Sequence, residues 1–342
     1  MKRPRIRAVD LAQYLGVRAL VGVAQAMTIE QSYALADGLA AVLYRVDRRH
    51  REVAMENLRL AFGEEYDERG RDKIVRGVYR HFCRMVIEML HIPRKLNITN
   101  WRRYVELIEP GPMVGHLLDG GPIVMLSGHF GNWELAGYVL GMFGFPSSSV
   151  ARTLDNPYLD RFLRTFRERT GQKLIAKKGG YDEMLGVLGD GRILSFLADQ
   201  DAGERGLFVD FFGRPASTHK AIALLALDYR APIVVGYARR VGPGFRYEVG
   251  CADVIDPAEL SGGADDVRIV TQRFTTALER VIRRDPDQYL WLHRRWKHRP
   301  KVREKGARRD RPAGADGAPA GPIGIAAKDQ AVAAFEARRE RA

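Results

Sequence analysis

Between residues 123 and 237, short apolar runs alternate with helical segments, and this alternation constrains the fold more than any other feature of the chain. Ile123–Ser127, 174–176, Ile193–Leu197 and 232–237 are too short for helices and too uniformly apolar for half-exposed strands, so they read as buried strands. Trp133–Met142, 155–170, 181–188 and 218–229 have helical character and lie between or after them. Such an alternation builds an α/β sheet with helices on its faces. A further strand is expected over 246–254 and a long helix over 265–284. Ahead of this core, residues 30–91 are mostly helical: Leu35, Leu39, Val42 and Leu43, then Val75, Val78, Phe82, Met85, Val86 and Met89, recur at helical spacing. Gly63 and the acidic stretch after it punctuate the region, and Pro93 is expected to close its last helix. The fold class is therefore α/β, a mixed, mostly parallel sheet flanked by helices, with an N-terminal helical segment.

Four segments follow from this reading: a basic leader and membrane-associating helix over 1–29, a helical part over 30–110, an α/β core over 111–300, and a basic tail over 301–342. The tail is dominated by Arg, Gly, Ala, Pro and Asp, a composition that predicts disorder, with a short helix over 326–341. The leader carries Lys2, Arg3, Arg5 and Arg7 and no acid. Residues 9–29 are apolar enough to suggest a membrane span, but Asp10 and Arg18 interrupt them, and a charge near a bilayer centre costs roughly 2.5–3.5 kcal/mol even on lenient scales. The uncharged run over 19–29 is too short to cross. Two readings stand: a helix lying in the interface with its basic leader on anionic headgroups, or an amphipathic helix packed on the domain.

Charge narrows the partners. Lys and Arg number 55 against 42 Asp and Glu, a net +13, which favours anionic partners such as an anionic membrane face or an acidic carrier. Nucleic acid is disfavoured, because the basic residues are not interleaved with aromatics in an RNA-binding pattern. Mean hydropathy of −0.26 excludes a polytopic membrane protein. Cys83 and Cys251 are isolated, which argues against a disulfide framework or a cysteine metal site and suits a reducing compartment.

The most informative stretch is Ser127-Gly128-His129-Phe130-Gly131-Asn132-Trp133-Glu134. A buried strand ends in a histidine between two glycines and a helix follows, at the place where open α/β sheets gather ligands. Asn132 suits the N-cap, which puts Glu134 in the first helical turn. From there its carboxylate is expected to reach back to one ring nitrogen of His129, fix the tautomer and leave the other nitrogen as a general base for a hydroxyl. Gly128 and Gly131 allow close backbone approach, and their amides are candidate oxyanion donors. No HExxH or GxSxG pattern accompanies them, so neither a metal site nor a serine hydrolase is indicated.

These residues resemble the HX4E motif of the bacterial lipid A late acyltransferases, within the wider lysophospholipid acyltransferase superfamily. Further blocks carry the resemblance: Asp155-Asn156-Pro157 with the Arg-rich helix after it, Asp199-Gln200-Asp201 with Phe211-Phe212-Gly213-Arg214-Pro215-Ala216, the segment 287–297, and 51–62 near the start. It spans roughly residues 10 to 300. The resemblance implies transfer of a fatty acyl chain from acyl carrier protein or acyl-CoA to a hydroxyl of a membrane glycolipid, a lipid A precursor first. It implies no cofactor beyond the donor, and a location on the cytoplasmic face of the inner membrane through a monotopic or single N-terminal anchor. His129 and Glu134 would be catalytic. Arg167, with Arg164 as its rival, and Asp199 match the other family positions tied to activity. Arg152, Gln200 and Arg214, with Gly128 and Gly131, complete the expected substrate contacts; cations such as His293, Arg294, Arg295 and Lys297 suit phosphates or an acidic carrier. Another lipid acceptor, a phosphatidylinositol mannoside or a lysophospholipid, is the alternative, and a basic non-catalytic nucleic-acid- or membrane-binding protein is the reading from a different class.

Overall fold

The computed structural model describes residues 7–169 and 171–300. The first six residues of the basic leader and the tail over 301–342 lie outside the described residues.

Four helices come first: α1 (Arg7–Ala26), α2 (Ile29–Val46), α3 (Arg48–Phe62) and α4 (Glu68–Lys95). Their boundaries follow from side chains that satisfy open helix ends. Thr28 accepts the Gln31 amide at 3.2 Å while the Gln31 side chain accepts the Thr28 amide at 3.0 Å, a reciprocal cap that opens α2. Asp47 caps α3, and Asp67 caps α4 at 2.7 Å from the Gly70 amide. Pro93 does not close α4. It sits in the final turn and the helix continues to Lys95, because a proline there forfeits one backbone donor without interrupting a long run of bonds.

The rest alternates as expected: β1 (Val105–Ile108), α5 (Gly111–Asp119), β2 (Ile123–Ser127), α6 (Trp133–Met142), β3 (Ser147–Ala151), α7 (Pro157–Glu168), β4 (Lys173–Ala176), α8 (Tyr181–Gly189), β5 (Ile193–Leu197), β6 (Leu207–Phe211), β7 (Arg214–Thr218), α9 (Ala221–Asp228), β8 (Ile233–Arg240), β9 (Tyr247–Ile255) and α10 (Asp266–Arg284). Seven strands form one sheet in the order β1-β9-β8-β2-β5-β3-β4, and β6 and β7 form a separate hairpin. All neighbours in the sheet are parallel except β8 and β9.

Period-two geometry explains the uniformly apolar strands. Val124, Leu126, Leu194 and Val235 join the core that includes α9 and α10. Ile123, Met125, Ile193 and Val234 face the opposite side, with Leu117 of α5 and Leu140 of α6. Residues of α2, α3 and α4 share the first of these cores, so the N-terminal helices and the sheet are packed together.

Several elements escape the sequence reading. β3 is rich in serine, which resembles a loop, yet Ser147 and Ser148 are buried because β4 and β5 flank it on both sides. β1, α5 and the hairpin were equally silent. The hairpin takes Thr218 into β7, so α9 begins at Ala221 rather than 218.

Candidate functional site

The parallel pairing of β2 with β5 sets Ser127 opposite Leu197. Two residues beyond each strand end stand His129 and Asp199, so the register brings them face to face. His129 Nδ1 lies 2.8 Å from Asp199 Oδ1, and the His129 backbone amide donates to Asp199 Oδ2 at 2.9 Å. A carboxylate facing Nδ1 holds the proton there and leaves Nε2 as the basic nitrogen. No protein group among the described residues bonds Nε2. Burial pushes the His129 pKa down, but the charge and hydrogen bond of Asp199, with Glu134 adding, outweigh it and leave the pKa raised. Asp199 is itself buried; burial pushes its pKa up, and His129 with the backbone amides brings it below the usual carboxylate value.

This corrects the expected role of Glu134. Its carboxylate does not bond His129. Arg167 grips it with one edge of its guanidinium, Nε donating to Oε2 at 2.9 Å and Nη2 to Oε1, and the Trp133 indole donates to Oε1 at 3.2 Å. The reason is geometric. His129 belongs to the turn while Glu134 starts the helix, and the helix directs it toward α7. The Trp133 ring bridges the two pairs, its centroid 5.0 Å from that of His129.

The turn between β2 and α6 is fixed from several sides. Leu290 N donates to His129 O at 3.0 Å, Gly131 N to Gln288 O at 2.9 Å, and Asn132 N to Ala238 O at 2.8 Å. Gly131 has φ +59°, and a side chain there would collide with the Ala238 carbonyl, so only glycine fits. Its amide is taken by Gln288, which removes it as an oxyanion donor. Its carbonyl accepts from His81 Nε2 at 3.0 Å; burial pushes the His81 pKa to about 3, so this histidine is a neutral strut. Asn132 accepts the Leu135 amide at 2.9 Å as the cap of α6 and donates to Glu88 Oε2 at 2.8 Å. Glu88, fully buried, pairs in turn with Arg240 and accepts from Tyr33 at 2.6 Å. Gly128 lies against Asp199, 3.4 Å separating its would-be Cβ from the carboxyl carbon.

Beside this turn opens a cavity of about 200 Å³. Met113, Leu117, Met125, Leu140, Phe143 and Phe145 make its wall greasy, and Trp133, Glu134 and Arg167 stand at its polar end.

The other expected contacts lie elsewhere. Arg152 is 79% exposed and faces Asp155 at 3.8 Å. Arg164 pairs with Asp160 at 2.8 Å, which leaves Arg167 as the arginine at the cavity. Arg214 donates to Leu60 O at 2.7 Å and ties the hairpin to α3. Gln200 follows Asp199, half-buried. Arg295 is buried, bonding Ser217 O and Thr218 Oγ1, and Trp291 is core. Of the terminal block, His293 comes near the pair: its Nε2 accepts the Asp201 amide at 3.2 Å, and it feels the charges of both Asp199 and His129. Among the described residues, no group of three or more His, Cys, Asp or Glu is placed to hold a metal ion.

An imidazole oriented by a buried carboxylate, with the Trp133 ring between it and an apolar cavity that Glu134 and Arg167 also line, is an arrangement suited to group transfer on a substrate with a hydrocarbon part. The family model described as "Bacterial lipid A biosynthesis acyltransferase" matches residues 2–298. The chain belongs to that family and is an acyltransferase. It is 27% identical to the lipid A biosynthesis lauroyltransferase of Escherichia coli (strain K12) over 84% of this chain and 92% of the relative. It is 26% identical to the palmitoleoyltransferase of the same organism over 74% and 80%, and 24% identical to a phosphatidylinositol mannoside acyltransferase of Mycolicibacterium smegmatis over 66% and 73%. Membership removes the non-catalytic reading.

Proposed function

We propose that the enzyme moves a fatty acyl chain from a thioester, on acyl carrier protein or CoA, to a hydroxyl of a lipid A precursor, with His129 as the general base. The observation that carries this is the His129–Asp199 pair, whose imidazole packs against Trp133, a residue that also lines the apolar cavity. The acyl chain occupies the cavity. His129 Nε2 takes the proton of the acceptor hydroxyl as its oxygen attacks the thioester carbonyl. The tetrahedral intermediate then expels the thiolate, which recovers the proton from the imidazolium. Asp199 holds the ring in the right tautomer and stabilises its cationic form. Glu134 and Arg167 form a charged collar at the cavity's polar end, and the Glu134 charge adds to the field that favours the imidazolium.

The lipid A reading over the phosphatidylinositol mannoside one is supported by the longer match to the lauroyltransferase. Membrane contact is supported by apolar side chains exposed on α1 and α2. Leu15, Leu20 and Val23 of α1 and Leu39, Val42 and Val46 of α2 are exposed, Leu20 to 71%. No described helix is long and apolar enough to cross a membrane. On this reading the enzyme contacts the bilayer through the exposed apolar side chains of α1 and α2 and works at the cytoplasmic face of the inner membrane. The test is incubation of the purified enzyme with lauroyl thioesters of acyl carrier protein and of CoA against a lipid A precursor, a phosphatidylinositol mannoside and a lysophospholipid, with products weighed by mass spectrometry. Acylation of the lipid A precursor is expected. Exclusive acylation of another acceptor overturns the acceptor assignment, and full activity of His129→Ala overturns the base.

A further inference from the structure

The polar residues that interrupt α1 have a use that membrane contact does not explain. Asp10, Gln13, Tyr14 and Arg18 recur at helical spacing and face α7. Asn156 is buried at the start of α7 and works in both directions. Its Oδ1 accepts the Tyr158 and Leu159 amides at 3.0 and 3.2 Å, capping α7. Its Nδ2 donates to Asp10 O at 2.9 Å and to Gln13 Oε1 at 3.1 Å on α1. The Tyr14 ring packs on Tyr158 with centroids 5.8 Å apart and on Phe162 at 6.5 Å. The Arg18 guanidinium lies 5.3 Å from the Phe162 ring centre.

α7 is packed between α1 and β4. None of its described side chains is fully buried. Among the described residues its other fastenings include packing on β4, Asp160 accepting the Leu154 amide at 2.8 Å, Arg164, which reaches Leu174 O of β4 at 3.3 Å, and Arg167, which grips Glu134. Asn156 and Arg167 are eleven residues apart, about 16 Å along a helix rising 1.5 Å per residue. The aromatic stack fixes the first two turns of that rod, and the last turn delivers the guanidinium to the cavity.

We propose that α1 is part of the catalytic architecture: through Asn156 and Tyr14 it sets the position of α7, and so keeps Arg167 on Glu134 at the polar end of the acyl cavity. Asn156 and Tyr14 are positioning residues for acyl transfer. The proposal rests on the acyl-transfer reading of the site. α1 thus has two working faces, an apolar one for lipid and a mixed aromatic and polar one for α7.

Asn156→Asp separates capping from tethering, because a carboxylate still accepts the α7 amides but donates nothing to α1. Tyr14→Ala tests the aromatic half. Each variant of the full chain is measured in three ways: binding to vesicles of phosphatidylethanolamine and phosphatidylglycerol, tryptic cleavage after Arg161, Arg164 and Arg169, and kcat/KM for transfer from lauroyl-acyl carrier protein to a lipid A precursor. We expect unchanged vesicle binding, several-fold faster cleavage in α7 and a fall of about tenfold in kcat/KM. In an Arg167→Ala background, Asn156→Asp should cost nothing further, whereas a merely structural role would add its full effect. Normal cleavage and normal turnover in both variants, or full additivity with Arg167→Ala, overturns the proposal. The cleavage arm needs no substrate, so a wild-type enzyme without transfer activity would sink the functional reading and leave the coupling of α1 to α7 separately decided.

Discussion

The turn carrying His129 and the helix carrying Arg167 supply two parts of the candidate site, and they are held in opposite ways. The turn exchanges hydrogen bonds with Leu290, Gln288, Ala238 and His81, and it is backed by the buried Glu88–Arg240 pair. α7 lies on the surface, its described side chains at most half-buried, and depends on α1 for its place. The difference has a chemical sense. A general base must meet its proton within a few tenths of an ångström, so its backbone is over-determined by the core.

Removing the base from the rigid end should have the largest effect. His129→Ala is expected to lower acyl transfer by about 10²–10⁴-fold without unfolding, checked by turnover and circular dichroism together. Asp199→Asn keeps the ring's neighbour but removes its charge, and a loss of about 10²–10⁴ is expected. The sign of its pH effect is fixed. Asp199 raises the His129 pKa, so its neutralisation lowers that pKa and moves the acid limb of kcat/KM to lower pH, with Glu134 and His293 still facing the ring. An acid limb that stays in place would detach Asp199 from the base. At the looser end, Glu134→Gln leaves Arg167 half-buried and without its anion. We expect a loss of about ten- to a hundredfold, with a smaller shift of the acid limb in the same direction. An effect equal to that of Asp199→Asn would erase the contrast between the two ends. The smallest catalytic effect belongs to the lipid face: Leu20→Asp with Val42→Asp should release protein from sedimenting vesicles, each buried leucine or valine being worth about 1.5–3 kcal/mol. Turnover on detergent-dispersed substrate should remain near normal, because neither residue faces α7.

Much of the fold was legible in the sequence. Ile123–Ser127, Trp133–Met142 and Ile193–Leu197 match their elements end to end, since apolar runs and a clear cap leave little choice of backbone. The candidate site was legible as residue types but not as pairs. His129, Glu134, Arg167 and Asp199 all stand out in the sequence, yet His129 is paired with Asp199 and not with Glu134. Local spacing suggested that the histidine and the glutamate five residues later form one unit, because both belong to one short segment.

The sequence by itself determined the chemistry that is present: an imidazole at a strand end, a carboxylate opening the next helix, an arginine-rich amphipathic helix, and enough apolar alternation to require a covered sheet. Tertiary structure alone decided which charges meet. The imidazole and Asp199 are seventy residues apart and become partners because β2 and β5 are parallel neighbours in a register that aligns their ends. Strand pairing is a non-local choice made by packing both faces of the sheet at once, and no window of sequence contains it. The same holds for Arg18, which interrupts an apolar helix in the sequence and in the folded chain meets Phe162 of α7.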